Sequence, residues 1–220
     1  MRNARIFFSK SGSAKYISHL DLNRVMLRAV YKSGLPIWRT EGFHQHAYIT
    51  FALPLSLGYA SDCESMDFRL IDDSLEMSTV PDMLNACLPD GLRVLSCAEA
   101  IRKPADIDSA SYDIRLEPMT EGQISAEELS TKLSKFLELP EIIVSKKTKK
   151  GSKDVDLKGY ILSCELSEEP ARFSLTLPAG GSLNINPSLF ITALEIFISV
   201  SLYADVTRIG IFTQGGERFA

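Results

Sequence analysis

Apolar positions along this chain switch between two periods, and the switches predict its elements. Residues 2–9, RNARIFFS, read as a strand. The loop KSGSAKYI follows. Ser18 then stands where a helix cap is needed, and Asp21 three residues on suits the positive helix end. Leu22, Val25, Met26, Ala29 and Val30 repeat at the i, i+3, i+4, i+7, i+8 spacing of one buried helical face. The spacing predicts a helix over 18–33, stopped by Gly34 and Pro36. Residues 35–39 read as a short strand. Residues 45–59 are extended, with interruptions at Pro54 and Gly58. Residues 64–71 alternate as a strand, with Met66, Phe68 and Leu70 on one side. A second helix follows Ser78, with Pro81 in its first turn and Val80, Met83, Leu84, Cys87 and Leu88 as its apolar stripe. Pro89-Asp90-Gly91 ends it, and 92–97 is a strand.

Residues 99–109 are polar and read as a linker, after which the pattern recurs. Residues 112–116 form a strand. Ser125-Ala-Glu-Glu128 is a capping box opening a helix whose Leu129, Leu133, Phe136 and Leu137 share a face. Residues 141–147 and 172–177 are strands. Asn186 caps the last helix, Pro187 takes its first position, and Leu189, Phe190, Ala193, Leu194 and Phe197 form its buried side. Residues 206–212 close as a strand. The order strand–helix–strand–strand–helix–strand, met twice, predicts an α+β protein of two tandem ferredoxin-like (βαββαβ) halves with antiparallel sheets. The halves are expected over 1–98 and 110–220, and the duplication rests on element order, with no residue-level repeat. Between the middle strands of the second half lies an insertion whose Lys146, Lys147, Lys149, Lys150, Lys153 and Lys158 crowd one end. It reads as a hairpin tip, either a solvated loop or a nucleic-acid contact.

Composition places the chain among globular proteins, with 45% hydrophobic and 24% charged residues in 220. No apolar run reaches the roughly 18 residues of a membrane-spanning helix. The start MRNARIFFSKSG lacks the apolar core of a signal peptide. A cytoplasmic protein without membrane contact is expected. Cys63, Cys87, Cys97 and Cys164 form no CxxC pair, which gives zinc or iron–sulfur ligation no support. Scattered cysteines of this kind read as small buried hydrophobes.

Charge changes the picture more. Residues 1–60 carry eight Lys or Arg against two acids, a balance of +6; the rest carry sixteen against twenty-six, −10, for the net −4 of the whole. The same quarter holds all three histidines, His19, His44 and His46. His19 sits in the first turn of the first predicted helix, whose free N–H groups make an anion site. Ser9, Lys10, Ser11, Ser13 and Lys15 lead into it. Arg24 and Arg28 lie four apart on the polar face of that helix. The predicted binding set is therefore Ser9, Lys10, Lys15, His19, Asp21, Arg24, Arg28 and His46. His19 and His46 are the candidate catalytic groups, expected within reach of one ligand. His44 and His46 form an H-x-H pair, but no further acids stand at a recognisable ligand spacing, so no metal and no cofactor is expected. No G-x-S-x-G elbow, Walker loop or dinucleotide fingerprint is present.

At FSKSG, KYISHLDL, LRA, SGLPI, EGFHQH, ITFALPLSLG and the closing RIGIF, the sequence resembles the radical-SAM-linked family of uncharacterised domains, which are fused to or encoded beside radical SAM proteins. The resemblance covers most of the chain and is densest over 6–70. Ser18, His19, Leu20, Asp21 and Leu22 match the family's S-H-L-D-L entry. Gly42, Phe43 and His46 match its G-F-N-P-H-P loop, where His44, Gln45 and Ala47 replace Asn, Pro and Pro. No C-x-x-x-C-x-x-C triplet is present, so the chain is not itself a radical SAM enzyme. The resemblance implies an accessory or substrate-binding module of a radical SAM partner, and the basic first quarter adds RNA as a ligand. Two alternatives stand beside it. One is a metal-independent endoribonuclease, since tandem ferredoxin-like halves with a histidine in the first helix are similar to CRISPR repeat-processing endoribonucleases. There His19 or His46 would move the 2′-OH proton while Lys10, Lys15 or Arg24 steadies the phosphate. The other is a structural protein-interaction domain.

Overall fold

In a computed structural model of the chain, residues 1–148, 151–181 and 183–219 are described; side-chain statements exclude 146–148 and 151–153. The protein is a mixed α+β structure with four α-helices among the described residues. It divides into two compact units, Met1–Asp106 with Arg218–Ala220, and Ile107–Glu217.

In the first unit, strand β1 (Arg2–Lys10) leads through a short 3-10 turn to helix α1 (His19–Ser33). Strands β2 (Ile49–Phe51) and β3 (Ala60–Leu70), helix α2 (Val80–Asn85) and strand β4 (Leu92–Glu99) follow. The strands stand side by side as β4-β1-β3-β2, every neighbour antiparallel. Because strand side chains alternate between faces, Ala4, Ile6 and Phe8 of β1 and Met66, Phe68 and Leu70 of β3 all turn to one side and are buried. The helices cover that side with Leu22, Met26, Ala29 and Val30 from α1 and Val80 and Leu84 from α2. Val25, on the predicted α1 face, is only partly buried against this core. Gly34 ends α1 in the left-handed conformation at φ 73°, which costs a residue without Cβ little. Gly91 has a second reason to be glycine: a Cβ there would lie 2.5 Å from the Ser11 carbonyl oxygen.

In the second unit, β5 (Ile107–Pro118), α3 (Ala126–Leu137), β6 (Ile143–Thr148), β7 (Gly151–Asp156), β8 (Ser163–Leu166), β9 (Arg172–Pro178), α4 (Pro187–Ile198) and β10 (Leu202–Thr213) follow in order. The strands stand as β10-β5-β9-β8, again antiparallel. Among the described residues, strands β6 and β7 pair only with each other, as a hairpin. Both predicted caps form: Ser125 accepts from the Glu128 N–H and Asn186 from the Ser188 N–H.

Several expectations need correction. The main sheet is mostly antiparallel but contains a parallel pair, because periodicity sets which face a strand shows and not the direction of its neighbour. Residues 35–39 contribute isolated bridges at Ile37 and Arg39 instead of a strand. Residues 99–109 are only partly linker, since β5 already begins at Ile107. The strand read at 141–147 belongs to the β6–β7 hairpin, and its place in the sheet goes to β8, inside the stretch read as the insertion. Phe197 is 41% exposed, though its ring lies 5.5 Å from Phe136. Of the lysine-rich tip, Lys149 and Lys150 lie outside the described residues, as do the side chains of Lys146, Lys147 and Lys153. Lys158 turns inward, and its ammonium donates to the Leu137 carbonyl.

Candidate functional site

The N-terminus of α1 was the predicted anion site, and its own residues occupy it. Ser18 is the cap: its hydroxyl oxygen accepts from the Asp21 N–H at 3.1 Å and donates to the Asp21 carboxylate at 2.7 Å. Arg24 closes the cluster with a 3.0 Å hydrogen bond to the other Asp21 oxygen. The Ser18 hydroxyl first, and Arg24 second, hold the Asp21 carboxyl below its ordinary value. A carboxylate thus already balances the dipole where a ligand phosphate was expected. His19 is exposed and packs its ring edge-on against Phe51 at 5.1 Å.

The loop before the helix is built inward as well. Lys10 shares the inward face of β1 with Ile6 and Phe8 and is 2% exposed. Its ammonium donates to the carbonyls of Lys15 at 3.4 Å and Ile17 at 3.3 Å, and so braces the 3-10 turn. Ser9, one position earlier, takes the opposite face and lines a cleft of about 360 Å³ with Asn85, Asp90 and Arg93. Lys15 is half-buried, with its ammonium 5.4 Å from the Tyr16 ring centre. Arg28 is exposed on the polar face of α1.

His46 lies at the other end of the helix. Its backbone and the Thr40 side chain close a short loop, with the His46 N–H donating to the Thr40 hydroxyl at 3.2 Å. The His46 Nδ1 lies 3.1 Å from the His44 carbonyl oxygen and 3.2 Å from the Thr40 hydroxyl. The next residue, Ala47, donates its N–H to the Tyr31 hydroxyl at 2.9 Å. Tyr31 is twelve residues along α1 from His19, about 18 Å at the helical rise. The two histidines therefore do not share a ligand, and the composite site expected from the sequence is not assembled. His44 and His46 gain no third ligand: among the described residues no cluster of three His, Cys, Asp or Glu exists.

The arrangement with binding chemistry lies on the outer face of the β1–β3–β2 sheet, opposite the helices. Alternation turns Asn3, Arg5, Asp67 and Arg69 outward where Ala4, Met66, Phe68 and Leu70 turn in. Arg5 and Thr50 both stand opposite Asp67, from the strands on either side. Arg5 donates to both Asp67 oxygens, at 2.6 and 2.9 Å, and to the Arg102 carbonyl at 2.7 Å. One turn of the pleat away, the Arg69 guanidinium lies over two aromatic rings, 5.5 Å from that of Trp38 and 5.6 Å from that of Tyr48. These rings meet edge to face at 5.8 Å. Tyr48, Thr50, Asp67 and Arg69, with Asn3 and 100–104 as the far bank, line a cleft of about 430 Å³. Lys103 is exposed on its rim, and the Asp67 side chain keeps 21% of its surface open to solvent. Sequence reading passed over Trp38, Tyr48 and Arg69. The signal was the second phase of the β3 alternation, in which charged Asp67 and Arg69 oppose the apolar set.

Residues 3–187 match the model of a family described as an uncharacterized protein conserved in bacteria, DUF2344. The chain belongs to this family. The match takes in residues 3–106 of the first unit, with the outer-face cleft and both histidine sites, and most of the second. No curated protein matches this DUF2344 chain. Among solved structures, a crystal structure of an unknown protein from Galdieria sulphuraria aligns with 93% of this chain and 98% of its own. The identity is 11% and the TM-score 0.28, a likeness too weak to bear on fold or function.

Proposed function

We propose that this chain is a binding module, not a catalyst, that holds single-stranded RNA for a radical SAM partner, and that its two units are ferredoxin-like halves. The strand orders β4-β1-β3-β2 and β10-β5-β9-β8, each threaded strand–helix–strand–strand–helix–strand, support the reading of the halves. The partner reading rests on the resemblance over 6–70. The non-catalytic reading is supported by the separation of His19 from His46 and by the Asp21 carboxylate at the helix end.

The observation that carries the RNA reading is the Trp38–Arg69–Tyr48 cluster beside the cleft. Unpaired bases stack on aromatic rings and on guanidinium planes, and cations beside them hold the backbone. An open sheet face with both features suits an unstacked strand. It does not suit a duplex, whose bases face each other.

The test is binding of a fluorescently labelled single-stranded RNA of roughly ten nucleotides, followed by anisotropy as salt rises. Binding at low salt is expected, with affinity falling steeply as salt increases. Arg69→Ala is expected to weaken it about tenfold, the loss of one stacking contact. Arg24→Ala with Arg28→Ala, on the helix face, should leave it nearly unchanged. Absence of binding at low salt overturns the RNA reading, and cleavage of the RNA by the chain alone overturns the non-catalytic one.

A further inference from the structure

We infer that Asp67 makes the outer-face cleft selective for ribose over deoxyribose, by accepting a hydrogen bond from one 2′-hydroxyl of the bound strand. The inference rests on the single-stranded RNA reading and names the residue that sets its sugar specificity.

The cleft is cationic but for one group. Arg69, Arg102 and Lys103 line it, and Asp67 is the one acid among the described residues that do so. A carboxylate repels phosphate, so the backbone phosphates belong beside Arg69 and Lys103 and not over Asp67. The carboxylate can only accept, so whatever lies on it must be a hydrogen-bond donor. An unpaired strand offers two kinds of donor, the N–H groups of its bases and the 2′-hydroxyls of its riboses. Deoxyribose has lost the second kind.

Arg5 decides between them. Its Nε and Nη2 take one lone pair on each Asp67 oxygen, side by side, at 2.6 and 2.9 Å. That fork uses the two lone pairs that point the same way, and the two left over diverge. Each can take a single donor, and they cannot share a pair of parallel ones. The adjacent N–H groups of a base edge and the vicinal hydroxyls of a free ribose are therefore poor fits. A lone hydroxyl within a strand fits, because its O–H rotates to suit the acceptor. The open part of the ion pair faces the cleft: the Arg5 side chain is 1% exposed and does not line it, whereas Asp67 keeps 21% of its surface and does.

Spacing points to the same donor. Asp67 and Arg69 are two residues apart on one face of β3, about 7 Å at the rise of a strand. That is comparable to the span from a base ring to its own 2′-hydroxyl. A base stacked beside Arg69 and Tyr48 thus carries its ribose toward Asp67. Deoxyribose in that place sets a C–H against a carboxylate that has given up water, and the acceptor loses its hydrogen bond.

The test uses the full chain and labelled strands of about ten nucleotides, all uridine or all adenosine, followed by anisotropy at one low salt concentration. Each strand is made with ribose, 2′-deoxy, 2′-fluoro and 2′-O-methyl sugars. Ribose is expected to bind about tenfold tighter than the other three, with either base. The 2′-fluoro and 2′-O-methyl sugars keep the ribose pucker but donate nothing, so they separate the hydroxyl from the shape of the strand, and this series needs no protein variant. Arg5→Met with Asp67→Leu removes the carboxylate without stranding the arginine, and should bring ribose and deoxyribose strands to within about twofold while deoxyribose binding is retained. Equal affinity for ribose and deoxyribose strands overturns the inference and leaves single-strand binding in place. A 2′-fluoro strand that binds as tightly as ribose overturns it and assigns the selectivity to pucker. A ribose preference seen with one base only overturns it in favour of a base N–H. A preference that survives the double change shows that Asp67 is not its source. Absence of binding by every strand overturns the inference together with the RNA reading.

Discussion

Arg5 and Asp67 face each other across β1 and β3, and the fork of one guanidinium grips both oxygens of one carboxylate at 2.6 and 2.9 Å. The arginine side chain is 1% exposed, and its guanidinium carbon lies 4.1 Å from the centre of the Phe219 ring. Such a cation depends on its partner, because removing the anion strands a charge in a low-dielectric site. Asp67→Ala is therefore expected to cost about 3–5 kcal/mol in urea unfolding, far more than an exposed ion pair would. The double change Arg5→Met with Asp67→Leu should recover most of that loss, since an apolar pair carries no desolvation cost. A loss below about 1 kcal/mol for Asp67→Ala would place Arg5 in contact with water.

A second prediction concerns the core beneath the same sheet. Leu22 is 2% exposed on α1 and belongs to the cluster formed with β1 and β3. Leu22→Ala is expected to lower stability by about 2–5 kcal/mol, the transfer term plus the cavity left behind. The measurement is the shift of the denaturant midpoint at unchanged slope. A change under about half a kcal/mol would mean that the helix presents another face.

The third prediction is a pH dependence. Asp21 titrates below its ordinary 3.8, held there first by the Ser18 hydroxyl and then by Arg24. Its folded value is lower than its unfolded one. The stabilisation it lends is thus fully present above the unfolded value and is lost as pH falls through the folded one. The loss of the α1 cap therefore belongs to the acid range below about pH 4 and leaves neutral pH untouched. Ser18→Ala should return the Asp21 carboxyl toward its ordinary value, seen in a carbon-13 NMR titration of that side chain. An unmoved titration would assign the shift to Arg24 alone.

The sequence by itself determined the inward faces and the helix ends. Leu22, Met26 and Val30, and Met66, Phe68 and Leu70, are buried as their spacing requires, because each element can hide one face only. Ser18, Ser125 and Asn186 cap as read, because a cap is satisfied by N–H groups two or three residues away. What lies across the sheet was beyond that reach. Arg5 and Asp67 are 62 residues apart in the chain, and only the register of β1 on β3 makes them neighbours. The same pairing left Lys10 inside the first unit. Helix length drew His19 and His46 apart, although they share one basic stretch of sequence. The strand at 141–147 was legible as a strand, yet its membership of a hairpin was not, since alternation is the same whichever partner a strand finds. Periodicity is a property of one element and its neighbours in the chain. A binding site is made where elements meet, and that is decided by tertiary pairing.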